Sequence, residues 1–126
     1  MKKVINTADA PPPIGPYSQA IIAGNLIFVS GQIPLHPFTG ELVTDNIIAA
    51  THLVMENIGA ILTESGADFG DIVKTSIFLT NLNDFAEVNE VYGTYFTDKF
   101  PARETIQVAA LPKGVSVEIS VVALKP

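Results

Sequence analysis

Val115-Ser116-Val117-Glu118-Ile119-Ser120-Val121 alternates without a break. Side chains on a strand point to opposite faces in turn, so four β-branched residues share one face while Ser116, Glu118 and Ser120 share the other. A second stretch, Phe100 to Val108, ends in Thr105-Ile106-Gln107-Val108, which reads as a strand entered directly after Arg103. Between the two lies Leu111-Pro112-Lys113-Gly114, a turn signal. If the two strands are neighbours, Arg103 and Glu118 can face one small polar site on an otherwise apolar sheet. Such a site suits a small carboxylate and a water molecule.

The rest of the chain supplies the sheet and its cover. Lys2 to Asn6 reads as a short strand. Ala8 to Pro16 holds Pro11, Pro12, Pro13 and Pro16 with Gly15, which forbids regular structure and makes a stiff crossing that ends at Tyr17. Ser18 to Ala23 and Leu26 to Ser30 are strand-like and flank Gly24-Asn25, a two-residue hairpin signal. Gly31 is expected to interrupt the second of these, and Pro34, Pro37 and Gly40 mark a loop to about Thr44.

Asn46 to Ser65 is expected to be helical. Ile47, Ala50, Val54, Ile58, Ile61 and Leu62 recur every three or four positions, with Thr44 or Asp45 as N-cap and Gly66 closing the end. Asp71 to Thr80 reads as a strand apolar enough for cover on both faces. A second helix, capped by Asn83 or Asp84, is expected to reach about Phe96, and Pro101 stops it from continuing. The order is β, β-hairpin, α, β, α, β, β. Two helices are too few to cover both faces of about six strands, so one face is left for a partner chain or another sheet.

Composition limits what the molecule can do. At 126 residues the chain fits a single domain, residues 1–126. Nearly half of it is apolar (48%), and its mean hydropathy of +0.36 is high for so small a domain. A domain of this size buries a limited share of its surface, so the excess points to burial between copies in a homo-oligomer. A net charge of −6 without a basic run disfavours nucleic acid, whose binding depends on Lys and Arg contacts to phosphate. The absence of cysteine removes disulfides, thiolate metal sites and a cysteine nucleophile. With no signal-length apolar stretch near Met1 and no continuous apolar run of about 18 residues, no membrane partner is expected and a cytoplasmic location is.

Several residues carry a plain reading beside a chemical one. Composition alone makes Arg103 and Glu118 an ion pair tying two strands or two subunits. Tyr17 can pack on the proline run as well as face a pocket, and Ser30-Gly31 can be a strand end with a bulge. His36 and His52 lack partners at metal-ligand spacing and read as surface histidines, so no metal site is expected. Lys74 reads as an interface or edge-capping lysine rather than a Schiff-base lysine.

Six stretches, in order and at compatible spacing, make the sequence resemble the RidA/YjgF (reactive intermediate imine deaminase) family along nearly its whole length. They are APPPIGPYSQ (Ala10 to Gln19), SGQIP (Ser30 to Pro34), GDIVKT (Gly70 to Thr75), LNDFAEVN (Leu82 to Asn89), FPAR (Phe100 to Arg103) and VEI (Val117 to Ile119). The resemblance implies a single α+β domain with a chorismate-mutase-like, mostly antiparallel or mixed sheet. It further implies a homotrimer whose sheets form a central barrel with helices outside, and active sites in the clefts between subunits.

The implied activity is hydrolysis of 2-imino acids, formed from enamines such as 2-aminoacrylate, to 2-oxo acids and ammonia, with no cofactor. Those enamines are released by pyridoxal-phosphate-dependent dehydratases, a functional link rather than a bound partner. Carried over residue by residue, Arg103 holds the substrate carboxylate and Glu118 attends the hydrolytic water. Tyr17, Ser30 and Gly31 line the pocket, and Asn89 takes a structural role near the site. Thr105 stands where many members have cysteine; its hydroxyl and backbone N–H can still bind a carboxylate or oxo group. Ala50 and Leu53 stand where glutamines are common. The competing functions are a non-catalytic sensor of 2-oxo acids in the same cleft, a ribonuclease or translation inhibitor, and a chaperone-like protein.

Overall fold

The computed structural model describes residues 1–126. Six strands form one sheet: β1 (Lys2–Ile5), β2 (Ala20–Ala23), β3 (Leu26–Gln32), β4 (Ile72–Leu79), β5 (Ala102–Gln107) and β6 (Val117–Leu124). Their spatial order is β1-β2-β3-β6-β4-β5. All neighbours are antiparallel except β4 and β5, which run parallel. Two helices, α1 (Ile47–Glu64) and α2 (Phe85–Gly93), lie on one face.

The hairpin forms where expected: Ala23 pairs with Leu26 across Gly24-Asn25. Only the first turn residue has positive φ (Gly24, +61°), the pattern of a type II′ turn, and glycine carries no Cβ to oppose it. Gly31 does not end β3. The strand continues to Gln32 and absorbs the irregularity as a register shift against β6 between Val29 and Gln32.

The helix cap is Asn46 rather than Thr44 or Asp45. Its backbone is extended (φ −146°), and its side-chain oxygen accepts from the N–H groups of Ile48 and Ala49 at 3.1 Å. From there α1 buries Ala50, Thr51, Val54, Met55, Asn57, Ile58, Ile61 and Leu62 against the sheet. Each large aliphatic side chain so buried contributes about 1.5–3 kcal/mol. The length and hydropathy of α1 would suffice to cross a bilayer, yet the helix is amphipathic and packed into this core. Helix α2 stops short of Phe96. Gly93 is a poor helix former, and the Thr94 hydroxyl donates back to the Val91 carbonyl (2.6 Å), so the chain leaves in tight turns.

The central strands alternate cleanly. Ile77, Leu79, Val117, Ile119, Val121 and Ala123 are buried under the helices. On the opposite face stand Phe28, Lys74, Ser76, Phe78, Ile106, Glu118, Ser120 and Val122. Neither helix packs on this face, so β4 is covered on one side and not on both. Phe28 and Ile106 remain 44% and 46% exposed. The one ion pair of the chain, Lys74–Glu104 at 2.9 Å, crosses this face, with the Ser76 hydroxyl donating to the same carboxylate.

Candidate functional site

Arg103 lies within β5, one residue into the strand rather than ahead of it. It pairs in register with Thr75 of β4, whose side chain is fully buried under α2. Arg103 therefore points to the helix face, where its guanidinium carbon lies 5.2 Å from the Tyr92 ring centre and 5.6 Å from that of Phe85. Both distances are within cation–π range. No carboxylate of the chain pairs with it. Tyr92 is held in place by its hydroxyl, which donates to Thr75 Oγ1 at 2.9 Å. Burial raises the Tyr92 pKa, with smaller opposing contributions from that hydrogen bond and from Arg103. Asn89, Tyr92, Gly93, Phe100, Pro101 and Arg103 line a cavity of about 350 Å³. The guanidinium brings to it a fork of N–H donors free to take a carboxylate in two parallel bonds.

Glu118 is elsewhere. β6 is separated from β5 by β4, and Glu118 pairs with Phe78 on the uncovered face. The two residues expected to share a site thus face opposite sides of the same sheet. The cause is the period of two: Thr75 and Phe78 are three positions apart on β4, an odd number, and their partners inherit opposite faces. The same geometry removes the reading of Arg103 and Glu118 as an ion pair within the chain.

Around Glu118 the walls are Ile14, Tyr17, Ser30, Gly31, Ile33 and Pro112, enclosing about 370 Å³. The proline-rich crossing reaches this point because Gln19 fastens it. The Gln19 amide accepts from Thr7 N–H (2.7 Å) and donates to the carbonyls of Thr7, Ala10 and Pro11 (3.0, 3.2 and 2.9 Å). The Ser30 hydroxyl is spent on the Ser18 carbonyl (2.6 Å), so Ser30 ties β3 to the segment carrying Tyr17. Asn57 of α1 donates to the Leu35 carbonyl (3.0 Å) and more weakly to Ile33 (3.4 Å), which holds the loop after β3 under the helix. Glu118 itself has no ion-pair partner, and burial raises its carboxyl pKa above the ordinary value. A carboxyl so placed can hold a proton at higher pH than a surface one and still release it.

Thr105 lines neither cavity. It lies on β5 two residues beyond Arg103, and its hydroxyl oxygen is buried without a hydrogen-bond partner. The histidines have structural partners. His36 Nδ1 accepts from the N–H groups of Phe38 and Thr39, and His52 Nδ1 bonds the Tyr95 hydroxyl at 2.8 Å. Sequence reading does not reach Ile14, Ile33 and Pro112 as cavity walls, nor Tyr92 and Phe85 as the bed of Arg103. The helical spacing of Phe85 and Tyr92 is visible in the sequence, but their meeting with Arg103 depends on the β4–β5 register.

Comparison with known proteins agrees with this architecture. The family model described as Endoribonuclease L-PSP matches residues 7–125. The human 2-iminobutanoate/2-iminopropanoate deaminase is 46% identical over 125 residues, covering 99% of this chain and 91% of that protein. Among solved structures, the E. coli YjgF gene product superposes with a TM-score of 0.94 at 45% identity, covering 98% of this chain and 99% of the other. E. coli TdcF, solved with bound serine, gives 0.94 at 43% identity with the same coverage. The chain belongs to the RidA/YjgF family.

Proposed function

We propose that the protein hydrolyses reactive 2-imino acids, with 2-iminopropanoate and 2-iminobutanoate as the type substrates, to 2-oxo acids and ammonia. The observation that carries the reading is the split of Arg103 and Glu118 between two half-open cavities on opposite faces of one sheet. A second copy docked against the uncovered face can bring its Glu118 cavity to the Arg103 cavity of the first. Repeated cyclically, the contact gives a trimer with three equivalent clefts and sheets turned inward. The exposed apolar side chains of that face, Phe28 and Ile106 among them, favour such burial.

In this cleft Arg103 holds the substrate carboxylate and thereby fixes the neighbouring C=N carbon. Water adds to that carbon as Glu118 takes one of its protons and passes it to the imine nitrogen, giving a carbinolamine. Glu118 then takes the hydroxyl proton and delivers it to the same nitrogen, the C–N bond breaks as the C=O forms, and ammonia leaves behind the 2-oxo acid. Such proton handling contributes about 10²–10⁴-fold. Tyr17 closes the Glu118 side, while Thr105 stands two residues beyond Arg103 on the same strand, with its hydroxyl buried outside both cavities. The human relative's name and the serine bound to TdcF, an amino acid with the same carboxylate, support the substrate class. The family model's endoribonuclease label fits less well, because a net charge of −6 opposes a polyphosphate ligand. The reading carries with it a cytoplasmic location beside the pyridoxal-phosphate-dependent dehydratases that release enamines.

The test couples a pyridoxal-phosphate-dependent threonine dehydratase to this protein and traps residual imine with semicarbazide. Wild type is expected to suppress trapping, and Arg103→Ala to leave it unaffected. Wild type that binds 2-oxobutyrate yet leaves trapping unchanged would make the cleft a carboxylate sensor and end the enzyme reading.

A further inference from the structure

We propose that Gly31 is a positioning residue for Glu118: a missing side chain at position 31 lets the carboxylate lie on the β3 backbone and face the cavity. A Cβ built at Gly31 would stand 2.6 Å from Glu118 Oε2, 2.8 Å from Cδ and 3.1 Å from Cγ. No carbon of an alanine occupies such a space. The backbone itself does not ask for glycine, because Gly31 is not among the residues with positive φ, unlike Gly24, Gly40, Gly66 and Gly114. Gly24, Gly40, Gly93 and Gly114 would meet nothing within 4 Å on gaining a Cβ. At position 31 the requirement therefore comes from the carboxylate alone.

Two further observations make the contact functional rather than merely tight. The atoms that a methyl would strike are the end of a flexible side chain, so the fold can accept alanine by swinging Glu118 aside. Glu118 also has nothing else to hold it where it is: it forms no ion pair, and burial alone shifts its pKa. The groups facing it are Ser30 and Gly31 of β3, Phe78 of β4, Ile14 and Tyr17 of the crossing, and Ile33 and Pro112. Within one chain none of these is a cation and only Tyr17 has an ionisable side chain; in the proposed assembly Arg103 of the partner subunit also faces the cleft, in wild type and Gly31→Ala alike. Packing on Gly31 sets both the position of the carboxylate and its desolvation, the two properties that proton transfer to and from water requires.

The inference rests on the imine-hydrolysis reading for its kinetic arm and is independent of it for its titration arm. Gly31→Ala, Glu118→Ala and the double variant are compared by imine hydrolysis across pH, thermal unfolding and ¹³C titration of the Glu118 carboxyl. Gly31→Ala is expected to melt close to wild type and to lose about 100-fold in kcat with KM little changed. The acid limb of its pH profile moves to lower pH, because the displaced carboxylate regains water. In the Glu118→Ala background the same alanine costs no further activity. Wild-type kcat with an unmoved acid limb in Gly31→Ala overturns the proposal. Equal losses in both backgrounds also overturn it, since Gly31 then acts through its backbone and not through Glu118. Should wild type hydrolyse no imine, the functional reading fails alone. The ¹³C titration then decides: a lowered Glu118 pKa in Gly31→Ala sustains the inference, and an unchanged one ends it.

Discussion

Ionised, as the proposed hydrolysis uses it, the Glu118 carboxylate of the single chain destabilises the fold. Its pKa is raised by burial, so the folded chain holds this proton more firmly than the unfolded chain does. Between the ordinary glutamate value of about 4.3 and the raised one, the folded state carries more protons, and stability falls as pH rises through that window. Below the ordinary value both states are protonated and the penalty is gone. Glu118→Gln keeps the shape and removes the titration. Its melting temperature is expected to exceed that of wild type near neutrality, with the gap closing as pH drops below the ordinary glutamate range, while imine hydrolysis is lost. Thermal melts of both proteins across pH measure this directly. A gap that stays constant with pH would mean that the gain comes from packing and not from the charge. Arg103 is the complement: its charge is stacked on Tyr92 and Phe85 and paired with no carboxylate of its own chain.

At the scale of elements, the segment from Thr7 to Pro11 has almost no regular structure, and Gln19 replaces the ladder it lacks. One amide satisfies four backbone groups across this crossing. Gln19→Leu keeps much of the volume and leaves those groups without partners, the Ala10 and Pro11 carbonyls buried and the Thr7 pair partly so. The expected cost is about 2–3 kcal/mol, read as a lower urea midpoint, with activity reduced because Tyr17 loses its anchorage. A midpoint within error of wild type would show that water replaces the amide. Gln19 also marks where sequence reading stops. Alternation at Val115 to Val121 and the three-four spacing from Ala50 to Leu62 expose the core, since periodicity is a local signal. The number of strands and helices follows from it, and so does the bare sheet face. Strand order is not local. Nothing in the stretch from Phe100 to Val121 says that β4 inserts between β5 and β6, so Arg103 and Glu118 look like neighbours when read along the chain. The motifs identified both residues; only the β4 register shows that one chain keeps them apart.

For the whole molecule, the separation of Arg103 from Glu118 becomes the sharpest test of the proposed assembly. In a cyclic trimer each cleft takes its arginine cavity from one subunit and its glutamate cavity from the next. Arg103→Ala and Glu118→Ala proteins, each inactive alone, then carry complementary damage. After unfolding and refolding together in equal amounts, each cleft draws its two halves independently from the two variants. Intact clefts arise when the arginine comes from the Glu118→Ala chain and the glutamate from the Arg103→Ala chain, which gives roughly a quarter of wild-type activity under random cyclic assembly. Refolding each variant alone restores none, and that control separates complementation from recovery of a damaged fold. Activity that stays at the level of the single variants, in mixtures shown by native mass spectrometry to contain both chains, would mean that each chain works with its own Arg103 and Glu118. The opposite-face geometry makes that outcome hard to reach. Arg103 lies on the edge strand β5 and Glu118 on β6, with β4 hydrogen-bonded between them, and the two cannot be brought together without undoing the register of the sheet.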